Sequence, residues 1–187
     1  MHQTAPGKPY HDPCIIVKGH KLQAVDRFTY LDSTLSREVG IDVVVNNRTA
    51  KASAAFGRLK KNVWEHRGLS ITTKLKIYRA VVLTALLHAC EIWTIYSRYA
   101  KQLNHFHSGC LRRILRIKWQ DKIPDSEVLR RACIPSIYAV LQKTQLRWAG
   151  HLVRMSDSRL PKQIFYGELS SGKRSAGGQK KRYKDSL

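Results

Sequence analysis

The residues whose types and spacing come closest to those of a metal site are His105, His107 and Cys110. Imidazole and thiolate groups are common zinc ligands, and His107 and Cys110 stand three residues apart on one face of a predicted helix. His105 points elsewhere, however, and a structural zinc site needs four ligands. Cys110 also continues an apolar stripe. The pattern therefore favours a packed core thiol beside surface histidines, and it predicts no metal or other cofactor.

Carboxylates are the second group that could carry chemistry, since polymerases and nucleases hold two metal ions with clustered acids. The 13 Asp and Glu residues of this chain are scattered singly along it. Asp125 and Glu127 are typical of acids in the first turn of a helix. The sequence also lacks a nucleophile elbow and a phosphate-binding glycine loop. We therefore predict a protein that is not an enzyme, with a metal-dependent nuclease as the disfavoured alternative.

The charge balance indicates the class of partner. The chain carries 34 Lys and Arg against 13 Asp and Glu, which gives a net charge of +21 and a pI of about 10.2. A domain with this excess repels itself unless a polyanion neutralises it. An anionic membrane would favour one basic amphipathic helix over charge spread along the chain. The prediction is RNA, DNA or an RNA–DNA hybrid as the partner, with no membrane and no small-molecule substrate.

The basic residues gather on two predicted helices and in the C-terminal tail, away from the apolar stripes. A solvated surface normally mixes both signs of charge, whereas here the compensating acids are missing. Arg112 and Arg116 share a helix face, and Arg113 lies about 100° further round, at the expected edge of the core. The predicted phosphate contacts are Arg48, Lys51, Arg58, Lys60 and Lys61 on one helix, Arg112, Arg113, Arg116 and Lys118 on another, and Lys173, Arg174, Lys180, Lys181 and Arg182 in the tail.

The four tryptophans could stack on bases, but each stands at or near an apolar helix position, which favours core packing. Trp119 is the best candidate for exposure, because Arg116, Lys118 and Lys122 surround it in the sequence. Base stacking is therefore the alternative interpretation for Trp119. The others are Trp64, Trp93 and Trp148.

The sequence predicts one central helix at residues 70–93. The helices that carry the candidate residues must pack around it. Ser70 is a suitable N-cap, and apolar residues recur every three or four positions from Ile71 to Trp93. The uninterrupted apolar part is too short to cross a bilayer. We expect this helix to be buried on most sides in an all-helical core.

The rest of the chain divides by composition. Residues 1–13 are predicted as a disordered lead-in, 14–36 as a β-hairpin or three-stranded meander, and 41–169 as a helical region. Residues 170–187 have almost no apolar content, which predicts a basic flexible tail. The predicted fold class is mostly α with an N-terminal β-hairpin. The separated cysteines and the missing secretory signal favour an intracellular protein, and the predicted partners favour the nucleus.

Several ordered blocks resemble the region that follows the catalytic palm in reverse transcriptases of non-LTR (LINE-like) retrotransposons. The resemblance covers roughly residues 20–187. Its blocks are FTYLDSTLS at 28–36, RTAKASAAF at 48–56 with Trp64, TKLKIY at 73–78 with EIW at 91–93, FHSGCLRR at 106–113, WQDKI at 119–123, LRWAGH at 146–151 with Arg154-Met155, RLPK at 159–162 and YGEL at 166–169.

The resemblance implies a primer-grip-like hairpin, followed by a thumb-like helical region that holds a template–primer duplex. It also implies that the metal-binding aspartates belong to an upstream Y-x-D-D motif, which this chain lacks. The implied function is a non-catalytic C-terminal part of a reverse transcriptase that binds nucleic acid through phosphates. A host-adopted module that docks on a polymerase or a chromatin partner is the alternative.

Overall fold

The N-terminal part of the computed structural model forms two small antiparallel hairpins. The structure describes residues 11–30, 33–36, 41–94 and 96–167. Strand β1 (Ile16–Val17) pairs with β2 (His20–Lys21), and β3 (Arg27–Tyr30) pairs with β4 (Ser33–Ser36). The sequence predicted one hairpin or a three-stranded meander, whereas the described residues form two separate two-stranded sheets. Gly19, at φ +80°, closes the first hairpin in a conformation that glycine adopts without strain.

The remainder of the described chain is helical, as the sequence predicted. Helix α1 (Asp42–Arg58) leads into a π-helical turn (Lys60–Trp64). The later helices all lie within residues 41–169, which were predicted to be helical. They are α4 (Ser97–Leu115), α5 (Asp125–Ala132), α6 (Ile137–Arg154) and α7 (Leu160–Tyr166). The predicted tail at 170–187 and residues 1–10 of the lead-in lie outside the described residues.

The central helix runs through α2 (Ile71–Ile77), a π-helical segment (Tyr78–Leu83) and α3 (Thr84–Leu86). Its N-cap is the predicted one, because the Ser70 hydroxyl accepts a hydrogen bond of 3.1 Å from the Thr73 N–H. The predicted end at Trp93 is wrong. The backbone turns at Ala89, which has φ 59°, and a 3₁₀ turn (Cys90–Ile92) follows. Trp93 stays buried beyond this turn, so the apolar spacing continues past the end of the helix.

The central helix supplies the middle of the core. Tyr78, Val82 and Leu86 are completely buried, and this stretch packs against both α1 and α4. The N-terminal ends of α1 and α4 are tied together, since Asp42 accepts hydrogen bonds from Arg98 at 3.0 Å and from the Tyr99 hydroxyl at 2.5 Å. The two helices therefore run in the same direction, and their C-terminal ends lie side by side.

None of the helices in the described ranges is both long enough and apolar enough to cross a bilayer.

A buried lysine connects the central helix to the end of α1. Lys74 is 2% exposed, and its ammonium group donates a hydrogen bond of 2.8 Å to the Trp64 carbonyl. That carbonyl belongs to the last turn before residue 65, where helical carbonyls lack partners within their own helix. The positive charge also complements the negative end of the helix dipole. Lys74 therefore fixes the turn that carries Trp64.

Replacing Lys74 with methionine is expected to lower the free energy of unfolding by about 1–3 kcal/mol, because the buried Trp64 carbonyl would lose its partner. Methionine keeps most of the side-chain volume and removes the donor. Urea unfolding followed by circular dichroism measures the change. Lys76→Met is the matched control on the exposed side of the same helix, with an expected change below about 0.5 kcal/mol. Equal unfolding midpoints for the two variants would show that the hydrogen bond contributes nothing.

Candidate nucleic-acid interface

A cleft opens where the C-terminal ends of α1 and α4 lie side by side. Its volume is about 680 Å³. The π-helical turn and the residues after it form one wall, and the last turn of α4 forms the other. We call it the basic cleft, and its lining residues are Phe56, Gly57, Lys60, Trp64, Glu65, Arg67, Arg113 and Arg116.

Positive charge dominates the basic cleft, since four cationic side chains line it against the single carboxylate of Glu65. Glu65 lies 3.5 Å from the ammonium group of Lys60, and both side chains are exposed. Within the described ranges, the guanidinium groups of Arg67, Arg113 and Arg116 make no hydrogen bond and no ion pair, and the three side chains are exposed. The cleft thus presents three guanidinium groups that an external anion can reach.

The aromatic side of the cleft is rigid. The rings of Phe56 and Trp64 stack with 4.8 Å between their centroids, and the Trp64 indole donates a hydrogen bond of 2.7 Å to the Phe56 carbonyl. Trp64 is buried, as is Trp93, and Trp148 is half-buried. Core packing, the default prediction for these tryptophans, is therefore confirmed for Trp64 and Trp93, whereas Trp148 lies outside the core cluster. Trp64 positions the π-helical turn that carries Lys60.

The structure separates the predicted basic residues of the first helix. Lys60 lines the cleft, whereas Lys51, Arg58 and Lys61 are exposed outside it. Arg48 is 3% exposed, so its place on the basic surface was predicted wrongly. It lies three residues after Val45 and four before Ala52, which are both completely buried. This spacing places Arg48 on the core face of α1.

The structure gives the three arginines predicted on the second helix different positions. Arg112 donates hydrogen bonds of 2.6 Å to the Ile123 carbonyl and to Asp125, and the bond from Arg112 holds the pKa of the Asp125 carboxyl below its usual value. Arg112 therefore pins the segment after α4. Arg113, expected at the core edge, lines the cleft with Arg116. Helix α4 ends at Leu115 and Arg116 has φ 57°, so Arg116 leaves the face that helical spacing gave it.

One cleft residue was missed by the sequence analysis. Arg67 lies between two predicted helices. The phosphate contacts of the helical region were predicted from the helix face on which each basic residue lies, so a residue outside a helix was not considered. The signal was its position directly before Gly68, in the short connection that leads from the end of α1 into the central helix. Connections of this kind lie on the surface and often carry binding residues.

The predicted zinc candidates are placed apart. His105 is exposed, as expected, and Cys110 is buried. His107 is completely buried, so the expectation of two surface histidines was wrong. It lies four residues from both Leu103 and Leu111, on the buried face of α4. In the part of the chain that the structure describes, no group of three or more His, Cys, Asp and Glu residues is placed to hold a metal ion.

His107 forms a buried polar pair with the central helix. Its Nδ1 lies 2.8 Å from the Tyr78 hydroxyl, and the two rings stack. The Pro135 carbonyl lies near the ring, but Nε2 makes no hydrogen bond of good geometry within the described residues. Burial lowers the pKa of His107 to about 4, and burial raises the pKa of Tyr78 well above its usual value. Both side chains are therefore neutral near pH 7.

The remaining predicted contacts lie outside the cleft or outside the described residues. Lys118 is exposed and precedes Trp119, which is 82% exposed. The exposure of Trp119 agrees with the alternative interpretation from the sequence. The tail residues belong to the range that the structure does not describe, and they are Lys173, Arg174, Lys180, Lys181 and Arg182.

Comparison with known proteins identifies one similar curated protein, an uncharacterized transposon-derived protein of Caenorhabditis elegans. The two sequences are 26% identical over 176 residues, which cover 89% of this chain and 61% of the nematode protein. The chain thus spans less than two thirds of the length of the relative. No protein-family model matches the sequence, and no solved structure gives a significant match.

Proposed function

We propose that this protein binds nucleic acid through the phosphate backbone, with the basic cleft as the central contact. The observation that carries the proposal is that Arg67, Arg113 and Arg116, from two different segments, line one cleft with nearby Lys60. Guanidinium groups match phosphate oxygens in geometry and stay charged at every physiological pH. RNA, DNA and RNA–DNA hybrids all offer this backbone.

The cleft keeps a net positive charge although the C-terminal ends of two helices meet in it. The C-terminal ends of α1 and α4 meet at the cleft, and each brings the negative end of a helix dipole. Part of the cationic charge stabilises those ends. Each dipole end is equivalent to only about half an elementary charge, however, so the four cations outweigh the two dipole ends and Glu65 together. A net positive field remains in the cleft.

The resemblance to non-LTR retrotransposon reverse transcriptases supports a more specific proposal, and the transposon-derived relative is consistent with it. We infer that the helical region corresponds to a thumb and the segments after it, and that it contributes binding rather than catalysis. The scattered carboxylates support a non-enzymatic role, and the polyanionic partner supports a nuclear location. Without base-specific contacts, binding is expected to vary little with sequence.

The test is binding of the purified chain to duplex and single-stranded oligonucleotides across a range of salt concentrations. If about four phosphates are neutralised on a duplex, the logarithm of the association constant should fall with the logarithm of salt at a slope of about −3.6. Primer extension with Mg²⁺ should stay at the level of a mock preparation. Affinity that does not change with salt would contradict the phosphate mechanism, and extension above the mock level would contradict the non-catalytic role.

A second candidate function, docking on a protein partner, has one observation in its favour. Leu160 and Ile164 lie one turn apart on α7 and are 64% and 69% exposed. Exposed apolar side chains on one face are typical of interaction sites. Substituting Leu160 and Ile164 with serine tests this candidate, because a fall in nucleic-acid affinity would show that α7 contacts nucleic acid and would remove the support for a protein partner.

A further inference from the structure

Trp119 occupies an unusual position for the largest apolar side chain. It is 82% exposed, on a 3₁₀ turn (Trp119–Asp121) between α4 and α5. Exposing an indole forfeits the free energy that its burial would supply. An exposed aromatic ring is therefore informative when the surrounding backbone holds it in a fixed place.

The segment that carries Trp119 is fixed at both flanks. Ile117 and Ile123 pack against the core, and the Arg112 side chain holds the Ile123 carbonyl at 2.6 Å. The tip is closed by a hydrogen bond of 2.8 Å from the Lys118 N–H to Asp121. This backbone accepts left-handed conformations at Arg116 and Lys122, with φ of 57° and 47°. Such conformations cost free energy in non-glycine residues and concentrate at functional sites.

Basic residues lie close to Trp119 in the chain. Exposed Lys118 precedes it, and exposed Lys122 follows at the end of the turn. Arg116, a lining residue of the basic cleft, lies three residues earlier, and three residues of chain span at most about 11 Å. A flat apolar ring beside phosphate-binding cations suits a nucleobase, whose flat face stacks while its phosphates contact the cations.

We propose that Trp119 is the stacking platform for an unpaired base of a single-stranded nucleic acid whose phosphates lie in the basic cleft. The proposal rests on the phosphate-binding function of the cleft and adds a preference for single strands. In a continuous duplex the base faces are covered by neighbouring base pairs, so Trp119 contributes to binding where the strand is open. The ring reads no particular base, because every base has a stacking face.

The experiment compares two single-stranded ligands of equal length, oligothymidine and an abasic oligomer with the same phosphates. Fluorescence anisotropy at one salt concentration measures their affinities for the intact chain and for Trp119→Ala. The substitution is expected to lower affinity for oligothymidine about tenfold and to leave affinity for the abasic oligomer unchanged. Trp119→Phe, which keeps an aromatic face, should restore most of the loss.

Three outcomes would overturn the proposal. Equal losses for both ligands would mean that Trp119 supports the fold of the segment. No loss for either ligand, with binding of both still dependent on salt, would refute the stacking platform alone. An unmodified chain that binds neither ligand would refute the phosphate function of the cleft as well.

Discussion

Replacing Arg113 and Arg116 together with glutamine is expected to lower nucleic-acid affinity on the order of 50-fold at 0.1 M salt. Each phosphate contact on a duplex contributes about 0.9 to the salt slope, so two contacts contribute nearly two powers of ten at that concentration. The slope itself should become shallower by about two units. The loss should be similar for every sequence, because phosphates carry no base information.

The matched control removes two arginines from another surface. Arg130 and Arg131 lie on α5, outside the cleft, and both pair with Glu127 at 2.7 and 2.8 Å. Changing both to glutamine removes the same charge but should alter affinity and salt slope much less. Equal losses in the two double variants would show that net charge, and not the cleft, determines binding. A double variant at 113 and 116 that unfolds would show that these arginines are structural.

Acid is expected to destabilise the protein through His107. Its pKa is about 4 in the folded chain, and 6.5 is the ordinary value. Between these values the unfolded chain binds a proton that the folded chain does not, so the free energy of unfolding decreases as pH falls. The stabilisation is fully present above pH 6.5 and is lost by about pH 4, for a total of about 3 kcal/mol. Below pH 4 both states are protonated and this contribution changes no further.

Urea unfolding at a series of pH values tests this expectation. His107→Gln removes the titrating group. The unfolding free energy of this variant should therefore decrease much less between pH 6.5 and 4, whatever its stability at pH 7. His105→Gln is the matched control, because it replaces an exposed histidine on the same helix and should keep the full pH dependence. A decrease of the same size in all three chains would refute the role of His107.

Helical periodicity predicted the fold class, and serine capping predicted the start of the central helix at Ser70. Ser70 and Ser136 each accept a hydrogen bond from a backbone N–H three residues later. Where helices end was less predictable. The central helix stops at Leu86 although buried residues continue to Trp93, and no glycine or proline marks the break. Burial depends on the three-dimensional packing of turns as well as on the helical period.

The basic cleft was predicted in part, for a related reason. Charge on two helices predicted phosphate contacts, and three of the predicted residues, Lys60, Arg113 and Arg116, line the basic cleft. The sequence did not show that Arg112 would form an ion pair with Asp125. That contact depends on the path of the backbone between α4 and α5. Arg48 was misplaced because a charged residue was assigned to the surface by type, although its spacing from Val45 favoured the core.

The π-helical stretches, Lys60–Trp64 and Tyr78–Leu83, have a consequence for aligning this sequence with its relatives. A π-helical turn accommodates one residue more than an α-helical turn, because its hydrogen bonds reach one residue further. A relative with an α-helical turn at the same place would have one residue fewer there. Its alignment with this chain would need a single-residue gap inside a helix, between apolar positions at helical spacing. An alignment that confines gaps to loops would shift every later position by one and would pair Val82 or Leu86 with solvent-facing residues. Distant relatives of this chain should therefore be aligned by matching their buried positions with those of this chain, separately before and after each π-helical stretch.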